Sequence, residues 1–325
     1  MRRREFIAWL GAAAAPNAWL SSARAQPTKI PLVGYVTNGS RKAAVSEAGL
    51  RRGLADRGYY LGRNLLLDAR YAEGDAQRVS SLIAELLALD VDVLVTVGTP
   101  TTLAARKATT SVPIVCVTGD PVGVGLAASL ARPGGNVTGF SLLSAKFSGK
   151  WLELLKAAVP KLGRVAILWN PDNRGAQAEV AMLDEMAGGF GLTLTRLSAR
   201  PQELEASLAA ITAASFDGLI ATDDSQIEPL IPRLVDLVAR NRVPTLYAFS
   251  TAVRQGGLMS YSADFFEIWR RAAGYVDRIL KGADPGDLPI EQTTEITFAV
   301  NLATAKALGL EIPQMLLATA NEVIE

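Results

Sequence analysis

The chain of 325 residues contains no histidine. That absence excludes imidazole general bases, Ser-His-Asp and Cys-His arrangements, and nearly every common transition-metal site. The single cysteine, Cys116, cannot form an intrachain disulfide. Its place in the apolar run Pro113 to Val117 makes it a buried strand residue rather than a nucleophile. The chain also lacks a Walker A sequence and a Gly-x-Ser-x-Gly nucleophile elbow. A Gly-x-Gly-x-x-Ala string does occur at Gly123 to Ala128. Pro121 precedes it, however, and no acid stands about 20 residues beyond Gly123 to hold a ribose, so it is not a dinucleotide fingerprint. Neither sign of charge dominates, with 33 basic and 32 acidic residues. A nucleic-acid binder normally shows a basic face, and none is visible.

What is present begins with Arg2, Arg3 and Arg4, then Glu5 and Phe6, then an Ala-rich apolar stretch to Leu20. This reads as a signal peptide with a twin-arginine-like core over residues 1–25. Ala23-Arg24-Ala25 supplies the small residues that a signal peptidase reads, which places cleavage before Gln26. Removing this segment takes away four arginines and one glutamate, which leaves the mature chain at a net charge of −2. Export and near-neutrality together imply a periplasmic location.

From Ile30 onward, short apolar runs alternate with amphipathic segments, as they do in α/β proteins with open parallel sheets. Strands are expected at Pro31 to Val36, Asn64 to Tyr71, Val91 to Val97 and Pro113 to Thr118. A second series follows at Arg164 to Trp169, Leu192 to Leu197, Asp217 to Ala221 and Pro244 to Ala248. The halves echo each other: Asp92-Val-Leu-Val-Thr96, a helix and Val112-Pro113 match Asp217-Gly-Leu-Ile-Ala221, a helix and Val243-Pro244. Two lobes follow, with three hinge crossings at Val137 to Leu143, Gly256 to Tyr261 and Leu288 to Thr294. The first lobe is expected over residues 28–140 and 257–285, and the second over 141–256 and 286–325.

In such lobes ligands sit just past the carboxyl ends of the strands. Four polar loops lie there: Thr37-Asn38-Gly39-Ser40, Gly98-Thr99-Pro100-Thr101-Thr102, Asn170-Pro171-Asp172-Asn173 and Thr222-Asp223-Asp224-Ser225. Gly98 allows close backbone approach, and the helix that begins near Pro100 offers unpaired N–H groups to an anion. Asp223 and Asp224 are neighbouring acids, one of which can pair with an ammonium group. Helix capping is the competing reading of Thr99, Asn170 and Asp223. Tyr35, Trp169, Tyr247, Phe249 and Tyr261 fall near strand ends or hinges, where they form either a stacking wall or core packing. Asp120, Thr101, Asp172 and Asn173 complete the set of expected ligand-binding residues.

Several strings now resemble one family: GDPVGVGLAASLARPGGNVTGF from Gly119, SGKWLELLKAAVP from Ser148, VAILWNPDN from Val165, GGLMSYSAD from Gly256, YVDRILKGADPGDLPIEQTTE from Tyr275 and NLATAKALGLEIP from Asn301. The resemblance, which covers nearly all of the mature chain, is to the periplasmic substrate-binding proteins of ABC importers in the tryptophan/tyrosine-type group. It implies a type I periplasmic binding-protein fold, no catalysis and no cofactor. It also implies an amino-acid or aromatic amino-acid-like ligand, and delivery by a monomer to an inner-membrane permease and its ATPase. Carried onto this chain, Thr99 to Thr101 would serve the ligand carboxylate, and Asp224 or Asp223 its ammonium. A sensor module of the same fold, presenting ligand to a signalling receptor, is the alternative; a carboxylate-dependent hydrolase is a distant third.

Overall fold

The computed structural model describes residues 29–41, 45–142, 144–293 and 296–325. The expected signal peptide and its cleavage point lie outside the described residues. The first lobe opens with β1 (Leu32–Thr37), α1 (Val45–Ala55), β2 (Leu66–Tyr71), α2 (Arg78–Ala88), β3 (Val93–Val97), α3 (Thr99–Ala108), β4 (Ile114–Thr118) and β5 (Val137–Ser141). The second contains α4 (Ser144–Ala158), β6 (Arg164–Trp169), α5 (Arg174–Ala187), β7 (Thr193–Ser198), α6 (Pro201–Ala210), β8 (Gly218–Ala221), α7 (Ile231–Asn241), β9 (Thr245–Tyr247), α8 (Thr251–Arg254) and β10 (Met259–Ala263). After these come α9 (Phe265–Leu280), β11 (Glu291–Gln292), β12 (Ile296–Asn301), α10 (Leu302–Leu308), α11 (Gln314–Thr319) and β13 (Glu322–Ile324).

Two sheets result, a six-stranded one in the order β11-β5-β4-β3-β1-β2 and a seven-stranded one in the order β13-β12-β10-β9-β8-β6-β7. All pairings are parallel except β10 with β12. Strands such as Val93–Val97 and Ile114–Thr118 are apolar and buried almost throughout because helices cover both faces of a parallel sheet. Cys116 lies fully buried in β4, and burial pushes its thiol up to about 12, so it is inert as a nucleophile. Beside it, Gly139 adopts φ +131°, and a Cβ there would stand 2.0 Å from the Cys116 carbonyl oxygen. Only glycine lets β5 lie against β4 at this point.

The tail differs from the expected hinges. Gly256 to Tyr261 is not a crossing, because Met259–Ala263 is an interior strand of the second sheet, bonded to β9 on one side and β12 on the other. The chain returns to the first lobe after Ala263, where α9 buries Ile268, Trp269, Ala272, Ala273 and Val276 against α1. Gly49 and Gly53 make this packing possible: a Cβ at Gly53 would lie 2.1 Å from the Arg270 carbonyl oxygen. Full burial of side chains such as Ile268 and Val276 contributes about 1.5–3 kcal/mol each, which fixes α9 to the first lobe. β11 pairs with β5, and the chain then passes back to β12 in the second sheet. Residues 257–263 therefore join the second sheet, and 291–292 the first. The other two crossings follow Leu142 and Thr293; Leu143 and Thr294, within the expected hinges, lie outside the described residues.

Candidate functional site between the lobes

The carboxyl ends of the two sheets face each other, and the lobes meet along a seam lined by glycine. A Cβ at Gly98, which adopts φ +82°, would lie 3.5 Å from Ser225 Oγ of the other lobe. One at Gly39 would lie 3.3 Å from Glu228 Oε2, and one at Gly119 would lie 3.6 Å from Gly175 Cα. The lobes are thus closed on each other.

A cavity lies on each side of this seam. The hinge-side cavity, of about 500 Å³, is bounded by Ser46, Val97, Gly98 and Trp269 from the first lobe and by Asp223, Ser225, Glu228 and Phe249 from the second. Leu142, Asp264, Phe265 and Thr297 close it at the crossings. Phe249 and Phe265 stack with centroids 5.8 Å apart and planes at 25°. Trp269 is fully buried, and its indole N–H has no hydrogen-bond partner among the described residues. The outer cavity, of about 710 Å³, has a polar lining that includes Asn38, Glu73, Asp75, Thr101, Asn170 and Asp172. Both volumes fall in the usual range for small-molecule sites.

Local structure explains how these side chains are held. Thr37 ends β1, and its Oγ1 accepts from Gly39 N at 2.9 Å, turning the chain so that Asn38 faces the outer cavity. Gly98 borders the hinge-side cavity and precedes α3, whose first turn borders the outer one. Thr99 Oγ1 accepts from Gly119 N at 3.5 Å, whereas the buried Thr101 Oγ1 and Asn38 Oδ1 have no partner among the described residues. Unsatisfied buried polar atoms cost free energy unless a ligand or water completes them. Asn173 caps α5 by accepting from Gly175 N at 2.9 Å and also donates to Asp224 Oδ2 at 2.6 Å.

Asp224 is the floor of the second lobe's half. It accepts from Asn170 Nδ2 at 3.2 and 3.3 Å, from Asn173 Nδ2, and from Gln226 N at 2.8 Å. Burial raises its pKa, and these bonds work in the opposite direction. Asp172 is different: it is exposed at the mouth, and a hydrogen-bonded Arg200 guanidinium, 2.7 Å away at its nearest, keeps its carboxyl below the usual range. Glu228 is only partly exposed, and burial pushes its carboxyl up to about 7. Beneath it, Tyr35 Oη and Ser46 Oγ share a 2.6 Å hydrogen bond, and burial drives the Tyr35 phenol well above its ordinary range.

The structure brings Gly98, Asp223 and Asp224 to the hinge-side cavity and Asn38, Thr101, Asn170 and Asp172 to the outer one, with Thr37, Thr99 and Asn173 supporting them. Asp120 is not among them: it lies on an exposed loop, where it caps Gly123 N at 2.9 Å. Tyr247 is fully buried inside β9, and Tyr261 packs on Phe298 beside a hollow of about 20 Å³. Sequence reasoning did not single out Glu228, Phe265, Trp269 or Ser46 as site residues. Phe265 and Trp269 belong to the apolar stripe of α9, whose first turn overhangs the cavity while the rest is core. Periodicity does not mark where such a stripe leaves the core.

Among the described residues no helix is long and apolar enough to cross a membrane, and no cluster of acidic or cysteine side chains is arranged to hold a metal. A curated relative, a "Tyrosine-binding protein" of Clostridioides difficile (strain R20291), is 27% identical over 270 residues, covering 82% of this chain and 77% of the relative. A conserved domain protein from Vibrio cholerae superposes with a TM-score of 0.85 at 29% identity, covering 91% of this chain and all of that one. An ABC domain from Streptococcus pneumonia in complex with L-Trp gives 0.83 at 26% identity, covering 90% and 99% of the two chains. The architecture is that of a two-lobed type I periplasmic binding protein. The family model for "ABC transporter substrate binding protein", whose members are ligand-binding proteins and not enzymes, matches residues 29–324; the chain belongs to that family.

Proposed function

We propose that the mature chain is a periplasmic binding protein that captures an aromatic amino acid, or a compound like one, between its lobes and delivers it to an ABC permease and its ATPase. The observation that carries this reading is the closed hinge-side cavity, in which an aromatic wall of Phe249, Phe265 and Trp269 stands beside the acidic loop Asp223 to Glu228. The relatives named for tyrosine and solved with L-Trp support the same ligand class. The first turn of α3 offers the ligand carboxylate its free N–H groups and the unpartnered Thr101 hydroxyl. Asn38, Thr101 and Asn170 border the outer cavity, across the Gly98–Ser225 seam from the aromatic wall. The protein acts as a monomer, its signal peptide removed near Ala25.

A micromolar ligand corresponds to about −8 kcal/mol, which a few charge-assisted bonds and one buried aromatic ring can supply. The test is calorimetric titration of residues 26–325 with L-Trp, L-Tyr and L-Phe, with aliphatic amino acids and sugars as controls. Saturable binding of an aromatic amino acid supports the reading. Heat from a sugar or an aliphatic amino acid alone, with none from the aromatic set, overturns it. At about 100 times its dissociation constant a true ligand also adds about 2.7 kcal/mol to stability, so a thermal melt gives an independent readout.

A further inference from the structure

Four carboxylates border the hinge-side cavity: Asp223, Asp224, Glu228 and Asp264. They differ in what they have left to give. An ionised carboxylate offers about four lone-pair directions. At Asp224, Oδ1 is taken by Gln226 N and Asn170 Nδ2, and Oδ2 by Asn173 Nδ2 and Asn170 Nδ2. Asp223 already has a partner. Asp264 is exposed and caps α9 through Glu267 N at 3.0 Å, so water serves the rest of it. Glu228 alone among them takes neither a hydrogen bond nor an ion pair within the described residues.

Its position adds a second constraint. Glu228 belongs to the second lobe, yet its Oε2 packs over Gly39 of the first, so it is desolvated by closure itself. Among the described residues, the groups around it bring no free positive charge. From β1 comes Tyr35, a neutral phenol, and from α1 comes Glu47, paired with Arg51. Near the β1 loop, Arg41 lies over the Tyr71 ring and Glu73 accepts from Arg41 N. Arg254 borders the same cavity, but its Nε and Nη2 are bound to Glu322 at 3.0 and 2.9 Å. A carboxylate buried without a counter-charge is costly, and a cation that arrives with the ligand removes that cost.

We propose that Glu228, rather than Asp224, receives the ligand's cationic nitrogen, which makes the closed site selective for compounds carrying a protonated amine. The assignment rests on the aromatic amino-acid reading and adds which acid recognises the ammonium. Asp224 becomes a positioning residue, holding the loops after β6 and β8 in register beneath the ligand.

The experiment is calorimetry with three probes: L-Trp; tryptamine, which keeps the ammonium and lacks the carboxylate; and indole-3-propionate, which keeps the carboxylate and lacks the ammonium. The wild-type chain is expected to bind L-Trp tightly, tryptamine measurably, and indole-3-propionate at least about 100-fold more weakly than L-Trp. Glu228→Gln should weaken L-Trp and tryptamine about 100-fold, as loss of one member of a buried charge pair does. It should leave indole-3-propionate unchanged or slightly better bound, a pattern that a merely structural defect does not produce. Glu228→Asp keeps the charge and should recover part of the loss. If wild type binds L-Trp and Glu228→Gln binds it within threefold, the assignment falls while the aromatic reading stands. Equal wild-type affinity for indole-3-propionate and L-Trp also overturns it. Silence with all three probes overturns the aromatic reading and the assignment together.

Discussion

Replacing Asp224 by alanine tests whether the second lobe's half of the site is built around this carboxylate. The side chain is 2% exposed and accepts from Asn170, Asn173 and Gln226, each itself buried. Its removal strands three donors, at about 1–3 kcal/mol for each that finds no water. Asn170 and Gln226 border the outer cavity and can recover water; Asn173 does not, and its hold on the start of α5, worth about 1 kcal/mol, loosens with it. Relief of the buried charge offsets part of the loss, leaving a net destabilisation of about 3 kcal/mol. For a lobe of this size that lowers the melting temperature by about 6–12 °C. The assay is thermal unfolding without ligand, so that no binding role contributes. Because burial raises the Asp224 pKa in the folded state, its stabilising share is full below the ordinary aspartate value of 3.8 and declines as pH rises through the folded value. The penalty for Asp224→Ala should therefore shrink as pH rises above the ordinary aspartate value of 3.8. A melting temperature within about 1 °C of wild type would refute the reasoning.

Three further substitutions probe separate parts of the architecture. Gly53→Val places a Cβ 2.1 Å from the Arg270 carbonyl oxygen and 2.7 Å from Ala273 Cβ, so it should prise α9 from α1 and cost about 3 kcal/mol, read as a lowered urea midpoint; an unchanged midpoint contradicts the packing. Gly175→Val points at Thr99 Oγ1, 3.1 Å from the new Cβ across the seam, and should wedge the lobes apart. Small-angle scattering with ligand present should show a larger radius of gyration and calorimetry a weaker affinity, whereas wild-type values in both rule out a role in closure. Trp269 borders the hinge-side cavity while Trp151 and Trp169 do not, so ligand should change the intrinsic fluorescence of wild type but not of Trp269→Phe. Persistence of the change in the variant would place the ligand elsewhere.

Much of this was legible in the chain before folding. The strands Arg164–Trp169 and Ile114–Thr118 stand where apolar runs placed them, because a strand buried on both faces has to be apolar along its length. The polar loops after β1, β3, β6 and β8 were likewise visible, since a βα turn needs glycine, threonine, asparagine or aspartate to begin its helix. Asp120 shows the limit of that signal: it follows a strand like the others, yet it caps its own exposed turn. Nothing local distinguishes a polar residue that ends a turn from one that faces the opposite lobe.

The sequence by itself determined the succession of strands and helices, the two-lobed class, and the absence of histidine chemistry, because these depend on local periodicity and on which residue types are present. Only the tertiary structure decided which lobe each tail element joins. The pairing of β10 with β12 and the packing of α9 on α1 are contacts between residues far apart in the chain. It also decided the states of the acids. Asp224 and Glu228 lie four positions apart in one loop, but one is held by two asparagines from another loop and the other is desolvated by a glycine of the opposite lobe. Partners and burial of this kind exist only once distant segments have met, and they set the charge that a ligand encounters.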